Sequence, residues 1–90
     1  MTLSLLNFDN RIKKANYTLI KACNNTSGGY SLVYTTNNPV TDITDLITEY
    51  NKSGLCNIYK LNNIVEIATF HKHKNDKAII KLLQPVKNYC

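Results

Sequence analysis

Two histidines, His71 and His73, have the residue type and spacing that most directly suggest chemistry in this chain. On a strand their imidazoles point to the same side, which is a geometry that metal sites use. Such a site needs a third ligand, and Asp76 or Cys90 would supply it only if the chain folded back. Two solvated side chains at the end of a hairpin explain the pair more simply. We therefore predict no metal and no cofactor.

No other set of residues forms a recognisable catalytic site. Serine, histidine, aspartate and cysteine are all present, but none lies in a motif that brings a nucleophile and a base together. The Gly28-Gly29 pair lacks the sequence of a phosphate-binding loop. Three of the six acidic residues fall on one predicted helix, which is typical of a solvated surface rather than of a buried carboxylate pair. The sequence therefore predicts a protein that is not an enzyme.

The charged residues are unevenly distributed along the chain. Residues 41–50 hold three acids and no lysine or arginine, whereas residues 71–90 hold five lysines and one aspartate. Residues 11–21 add four basic residues. This pattern indicates an acidic helix on a basic body, and either surface could contact a macromolecule. The candidate binding residues are Asp42, Asp45, Glu49, His71, Lys72, His73, Lys74 and Lys77.

One interpretation of the basic surface is a site for single-stranded DNA or RNA, with lysines on phosphates and aromatic rings stacked on bases. Ten of the eleven basic residues are lysine, whereas guanine edges are usually read by arginine, so such binding would not depend on sequence. Lysines that merely solvate strand edges are the simpler explanation, because a net charge of +5 over 90 residues is modest for a nucleic-acid binder. The residues concerned are Lys72, Lys74 and Lys77 for phosphate, and Tyr17, Tyr30, Tyr59 and Phe70 for stacking.

Tyrosine is also favoured where a surface meets another protein. Tyr17, Tyr30, Tyr34 and Tyr59 would form a contact patch if they lie on an uncovered face of a sheet. For at least half of them, the alternative is that they pack beneath the helices.

A helix within residues 38–54 is the element around which the rest of the chain must be arranged. Thr41 is the predicted N-terminal cap, and Gly54 is the predicted left-handed stop. Apolar residues follow the spacing i, i+3, i+4, i+7, so one side of this helix must lie on an apolar layer. These residues are Ile43, Leu46, Ile47 and Tyr50.

Extended segments on both sides of this helix supply that layer. Their β-branched and aromatic content predicts strands, and the polar loop at residues 24–29 and the pair Asn62-Asn63 predict hairpin turns. The last segment also fits a helix, and residues 3–15 favour a short helix over a competing strand. The predicted strands are Tyr17–Cys23, Tyr30–Thr36, Leu55–Leu61, Ile64–Lys72 and Lys77–Leu83.

These elements predict a single α+β domain over residues 1–90, in the order (α)ββαβββ. One antiparallel sheet of about five strands would carry the central helix on one face, together with the short N-terminal helix. The other face would be left to solvent or to a partner.

The composition is that of a folded protein in a reducing compartment. Three widely spaced cysteines without a CxxC motif indicate free thiols, and a Cys23–Cys56 bridge is the alternative if their strands are neighbours. No apolar run is long enough to cross a bilayer, and the first six residues lack the basic start of a signal peptide. We therefore predict a cytoplasmic protein without a membrane partner.

The abundance of lysine and asparagine is typical of short accessory products of phages and mobile elements. From size, composition and the lack of a catalytic site we predict a small protein that binds a macromolecule. A phage-encoded inhibitor that covers the surface of a host nuclease or defence complex, in an anti-CRISPR-like role, fits these features best. The alternative is the RNA or single-stranded DNA binder described above.

Overall fold

The computed structural model describes residues 4–26, 28–39 and 41–70, which form two helices and one antiparallel sheet of four strands. The predicted α+β fold is confirmed, with four strands in place of about five. The predicted strand at 77–83, and the helix that competes with it, lie outside the described residues. The elements are α1 Leu5–Lys14, β1 Thr18–Asn24, β2 Tyr30–Thr35, α2 Thr44–Ser53, β3 Cys56–Leu61 and β4 Ile64–Thr69.

The strands lie in the order β1-β2-β4-β3, and every neighbouring pair is antiparallel. The two hairpins β1–β2 and β3–β4 are therefore joined through β2 and β4, which leaves β1 and β3 at the ends of this sheet. A bulge in β1 between Leu19 and Lys21 makes Ile20 the extra residue. Asn62 has a positive φ of 54°, as the predicted two-residue turn between β3 and β4 requires.

The N-terminal helix α1 forms because its apolar residues recur on one side. Leu5, Phe8 and Ile12 are buried, whereas the basic residues of the last turn are exposed. The Ser4 hydroxyl accepts a hydrogen bond from the Asn7 backbone N–H at 3.1 Å, which caps the start of the helix. The short helix predicted for residues 3–15 is confirmed.

The central helix α2 lies where its apolar spacing predicts, but it begins later than expected. Ile43, Leu46 and Tyr50 are buried, and Gly54 ends the helix with a φ of 77°. The predicted Thr41 cap is wrong, because the helix begins at Thr44 after Ile43, which makes no capping hydrogen bond through its side chain. The Asp42 carboxylate instead fixes the backbone just before the helix. It accepts hydrogen bonds from the Thr44 N–H at 2.9 Å and from the Thr44 hydroxyl at 2.6 Å.

Both helices pack on the same face of the sheet around three aromatic rings. The Phe8 ring meets the rings of Tyr34 and Tyr50 edge-on, with centroids 6.3 Å and 5.1 Å apart. The Tyr50 hydroxyl donates to the Ser4 carbonyl at 2.9 Å, which ties α2 to the start of α1. Alternate residues of β2 and β4 complete this core, namely Leu32, Tyr34, Val65 and Ile67.

A side chain of α2 forms hydrogen bonds with the outward backbone groups of the edge strand β3. The Asn51 side-chain amide donates to the Ile58 carbonyl at 3.1 Å, and its oxygen accepts from the Ile58 N–H at 2.7 Å. The two bonds take the place of a neighbouring strand at this residue. Because unpaired edge groups recruit other strands, Asn51 protects β3 from edge-to-edge association.

Replacing Asn51 with alanine should lower the free energy of unfolding by about 1–2 kcal/mol, because both outward groups of Ile58 lose their partner. It should also promote self-association at high concentration, since it exposes the edge of β3. Urea denaturation and light scattering measure the two effects. Asn57→Ala is the matched control, because Asn57 is exposed on β3 next to Ile58. Equal stability of the two variants would contradict this role of Asn51.

The cysteines differ from the three free thiols that the sequence predicts. Cys23 is disulfide-bonded, whereas Cys56 is a free and fully buried thiol. Cys90 lies outside the described residues. A Cys23–Cys56 bridge does not form, because β1 and β3 lie at opposite ends of the four-strand order. The free-thiol expectation is therefore wrong for Cys23, and its support for a reducing compartment is lost.

The buried thiol and phenol groups should make the free energy of unfolding fall in alkali. Burial raises the pKa of the Cys56 thiol from 9.0 to about 11, and burial together with the hydrogen bond to Asp9 raises the pKa of Tyr34 above 10.0. The unfolded chain loses these protons first, so the stability they contribute is complete below pH 9.0 and is lost as the pH rises through the folded values.

We therefore expect the free energy of unfolding to fall as the pH is raised from 9.0 to about 11. Urea denaturation across this range measures it. Cys56→Ala should show a shallower fall, because the contribution of the thiol is then absent. The buried tyrosines with raised pKa values still contribute, namely Tyr17, Tyr34 and Tyr50. A wild-type curve without any decline would contradict this account.

Candidate binding surface

The acidic residues predicted on the central helix are all exposed, but they do not form an isolated negative surface. The Glu49 carboxylate lies 3.4 Å from the guanidinium of Arg11 on α1, and both side chains are nearly half exposed. The hydrogen bonds from Thr44 lower the pKa of Asp42. Exposed ion pairs of this kind contribute little to stability, so Arg11–Glu49 mainly offsets charge.

Asp42 lines two clefts. A cleft of about 250 Å³ lies between α1 and α2, where Asp42 and Asp45 line one side and Arg11 and Lys14 the other. A second cleft of about 330 Å³ includes Asp42 and Lys60. Each cleft carries both signs of charge, and no group of three or more His, Cys, Asp or Glu within the described ranges could hold a metal ion.

The basic half of the predicted binding set falls outside the described residues. Its members are His71, Lys72, His73, Lys74 and Lys77. Within residues 4–26, 28–39 and 41–70 there are six basic and five acidic side chains. Two of those basic side chains, Arg11 and Lys13, already pair with acids.

The tyrosine patch is wrong for three of its four predicted members. Tyr17, Tyr30 and Tyr34 are buried, and only Tyr59 is exposed. Tyr30 and Tyr34 alternate with residues of the opposite face and therefore point toward the helices, together with Leu32. The alternative of packing beneath the helices is the correct one for these rings, so Tyr17 and Tyr30 are also not available for base stacking.

The sheet presents large apolar side chains on the face that α1 and α2 do not cover, which we call the outer face. Leu61 and Ile64 are cross-strand partners beside the β3–β4 turn, and they are 75% and 51% exposed. Tyr59 lies two residues before Leu61 on the same side of β3 and is 62% exposed. We call these three residues the hairpin patch. Outer faces of antiparallel sheets usually carry polar residues, so this cluster is unusual.

One acid, Glu66, lies beside the hairpin patch on the outer face. It is the cross-strand partner of Tyr59 on β3 and of Val33 on β2. Glu66 is exposed, and no cation of the described ranges pairs with it. Among the residues that the structure describes, its carboxylate is therefore a charge without a cationic partner, and its cross-strand neighbours are uncharged.

Sequence reasoning named Tyr59 as a contact residue but missed Leu61, Ile64 and Glu66, although the signal is present. Alternation places Val65 and Ile67 in the core, so Ile64 and Glu66 must point outward. The register of the two-residue turn then brings Leu61 opposite Ile64.

No protein-family model, curated protein or solved structure matches this chain. Within the part of the chain that the structure describes, neither helix has the length and apolar character needed to cross a membrane.

Proposed function

We propose that this protein is a non-enzymatic binding protein that covers a surface of a protein partner through the hairpin patch. The observation that supports this proposal is the side-by-side exposure of Tyr59, Leu61 and Ile64. Residues that serve only the fold would be buried or polar at these positions.

The residue types of the hairpin patch suit contact with a protein. Burying an exposed leucine or isoleucine side chain contributes about 1.5–3 kcal/mol, and tyrosine is enriched among residues that dominate interface energies. Glu66 borders the patch and supplies a polar residue to the rim of such an interface. A patch of three side chains is small, which fits a contact in which a few anchors carry the binding.

The class of partner is proposed from composition. The size and the lysine and asparagine content suit an accessory product of a phage or mobile element, and we propose a host nuclease or defence complex as the target. The protein would act in the cytoplasm of the host or of the producing cell. The clefts around Asp42, Asp45 and Glu49 would lie outside the contact, because α2 packs on the opposite face of the sheet.

The competing function, binding of RNA or single-stranded DNA, depends on Lys72, Lys74 and Lys77. Those lysines are outside the described ranges, and within those ranges basic and acidic residues nearly balance. Binding of nucleic acid therefore stays a prediction. A mobility-shift titration at low and high salt tests it, because phosphate contacts weaken with salt.

Photocrosslinking tests the proposed function. We would replace Tyr59 with p-benzoylphenylalanine and irradiate cells of the producing organism or its host. We expect one crosslinked protein, and we expect Leu61→Asn to reduce its yield by roughly tenfold. p-Benzoylphenylalanine introduced in place of Lys52, at the end of α2, controls for nonspecific crosslinks. Ile20→Asn, an equivalent substitution at an exposed apolar residue outside the patch, controls for loss of apolar surface.

Several outcomes would contradict the proposal. They are equal crosslinking from Lys52 and Tyr59, an adduct that contains only nucleic acid, and a yield that Leu61→Asn does not change. Each variant would first be checked by urea denaturation. Substitutions at exposed positions of this kind should change the free energy of unfolding by about 0.5 kcal/mol or less.

A further inference from the structure

We infer that the partner contacts the outer face with an amphipathic helix, and that a lysine or arginine of this helix pairs with Glu66. The inference rests on the proposed function of the hairpin patch and adds the chemistry of the partner. It follows from three observations, which concern the charge on the outer face, the closed edge of β3 and the spacing of the exposed side chains.

The negative charge of Glu66 determines the sign of the charge that the partner must bring to this surface. Its cross-strand neighbours Tyr59 and Val33 carry no charge, and none of the described cations forms an ion pair with it. A partner that covers the hairpin patch also removes water from Glu66. Covering a carboxylate without a cation is unfavourable, so the surface selects partners that bring a basic side chain.

The closed edge of β3 decides how the partner approaches. Both outward groups of Ile58 bond to the Asn51 side chain, so an added strand cannot pair along this edge without displacing it. The partner must therefore lie on the face and bind through side chains.

The spacing of the exposed side chains matches a helix. Cross-strand partners such as Leu61 and Ile64 lie roughly 5 Å apart, and the next row, with Tyr59 and Glu66, lies roughly 7 Å along the strands. Side chains at i and i+4 of a helix are separated by about 6 Å along its axis. One helix can thus place apolar residues on the Leu61–Ile64 row and a basic residue one turn away at Glu66.

A selection experiment tests this inference without knowledge of the natural partner. A phage-displayed library of helix-forming peptides of about 15 residues would be selected against the full chain and, separately, against its Glu66→Lys variant. We expect binders of the wild type to carry an apolar stripe and a lysine or arginine at a fixed position. Their affinity should fall roughly tenfold for Glu66→Lys and for Leu61→Asn. Binders of Glu66→Lys should carry an acid at that position.

Asp45→Lys is the matched control, because it changes the net charge equally at an exposed residue of α2, on the helix side of the sheet. Wild-type binders should bind this variant unchanged. Neutral or acidic binders, or binders that tolerate Glu66→Lys, would overturn the inference. So would dimerisation through the outer face, or competition by a peptide of residues 71–90, because either would assign the face to this chain itself. If crosslinking at Tyr59 succeeds while the charge preference fails, the proposed function stands and only the inference is lost.

Discussion

Replacing Asp9 with alanine is expected to lower the free energy of unfolding by about 2–3 kcal/mol. Asp9 is buried in α1, where its carboxylate accepts a hydrogen bond from the Tyr34 hydroxyl at 2.7 Å and pairs with the Lys13 ammonium at 2.8 Å. Without Asp9, the hydroxyl of the fully buried Tyr34 loses its acceptor. A buried polar group without a partner costs more than an ordinary hydrogen bond contributes. Urea denaturation at neutral pH measures the loss.

A double-mutant cycle separates the parts of this contact. Tyr34→Phe alone should also destabilise, because Asp9 then keeps only its bond to Lys13, whereas Asp9→Ala with Tyr34→Phe should cost less than the sum of the two. Lys13→Ala should cost about 0–1 kcal/mol, since that side chain is half exposed. If Asp9→Ala proved no more harmful than Lys13→Ala, the buried hydrogen bond would not hold α1 to the sheet.

Local patterns in the sequence were sufficient to predict most elements of the fold. The apolar spacing predicts α2 and its buried side from Ile43, Leu46, Ile47 and Tyr50. Three of these residues are buried, and Ile47 is partly buried against the core. Gly54 and the Asn62-Asn63 pair predict where a helix ends and where a chain reverses, because both depend on conformations that few residue types adopt.

The order of the strands could not be predicted in the same way. The pairing of β2 with β4 makes Leu32 the cross-strand partner of Ile67. The whole central helix lies between these two residues in the sequence, and no turn residue encodes their pairing. Packing of both hairpins beneath the same two helices selects this order. The burial of Tyr17, Tyr30 and Tyr34 follows from that packing and not from their residue type, which suits a surface equally well.

The candidate surface was difficult to predict for a related reason. Asp42, Asp45 and Glu49 are conspicuous in sequence because they cluster, but Glu49 is offset by Arg11, which lies 38 residues earlier. Leu61 and Ile64 are inconspicuous because each is an ordinary strand residue, and Tyr59 was only one of several tyrosines that could have been exposed. They become a patch only when the turn aligns β3 with β4 and the helices take the other face.

Replacing Phe8 with alanine is expected to have the largest effect, a loss of about 3–5 kcal/mol. The Phe8 ring is fully buried and contacts the rings of Tyr34 and Tyr50, so it fills the space where α1, the sheet and α2 meet. Its removal leaves a cavity that three elements would have to close together. The total stability of a domain is only about 5–15 kcal/mol, so the variant should unfold at much lower urea concentrations or fail to fold.

Phe8→Leu keeps this result interpretable if the alanine variant does not fold. Leucine retains most of the buried volume but loses the edge-on ring contacts, so we expect a smaller loss of about 1–2 kcal/mol. Leu6→Ala, at a partly exposed position of the same helix, controls for a change of helix sequence alone. Should Phe8→Ala resemble Leu6→Ala in urea denaturation, α1 would not be part of the core. Asp9 and Phe8 would then lack the common role assigned to them, which is to hold α1 against the sheet and leave the opposite face for binding.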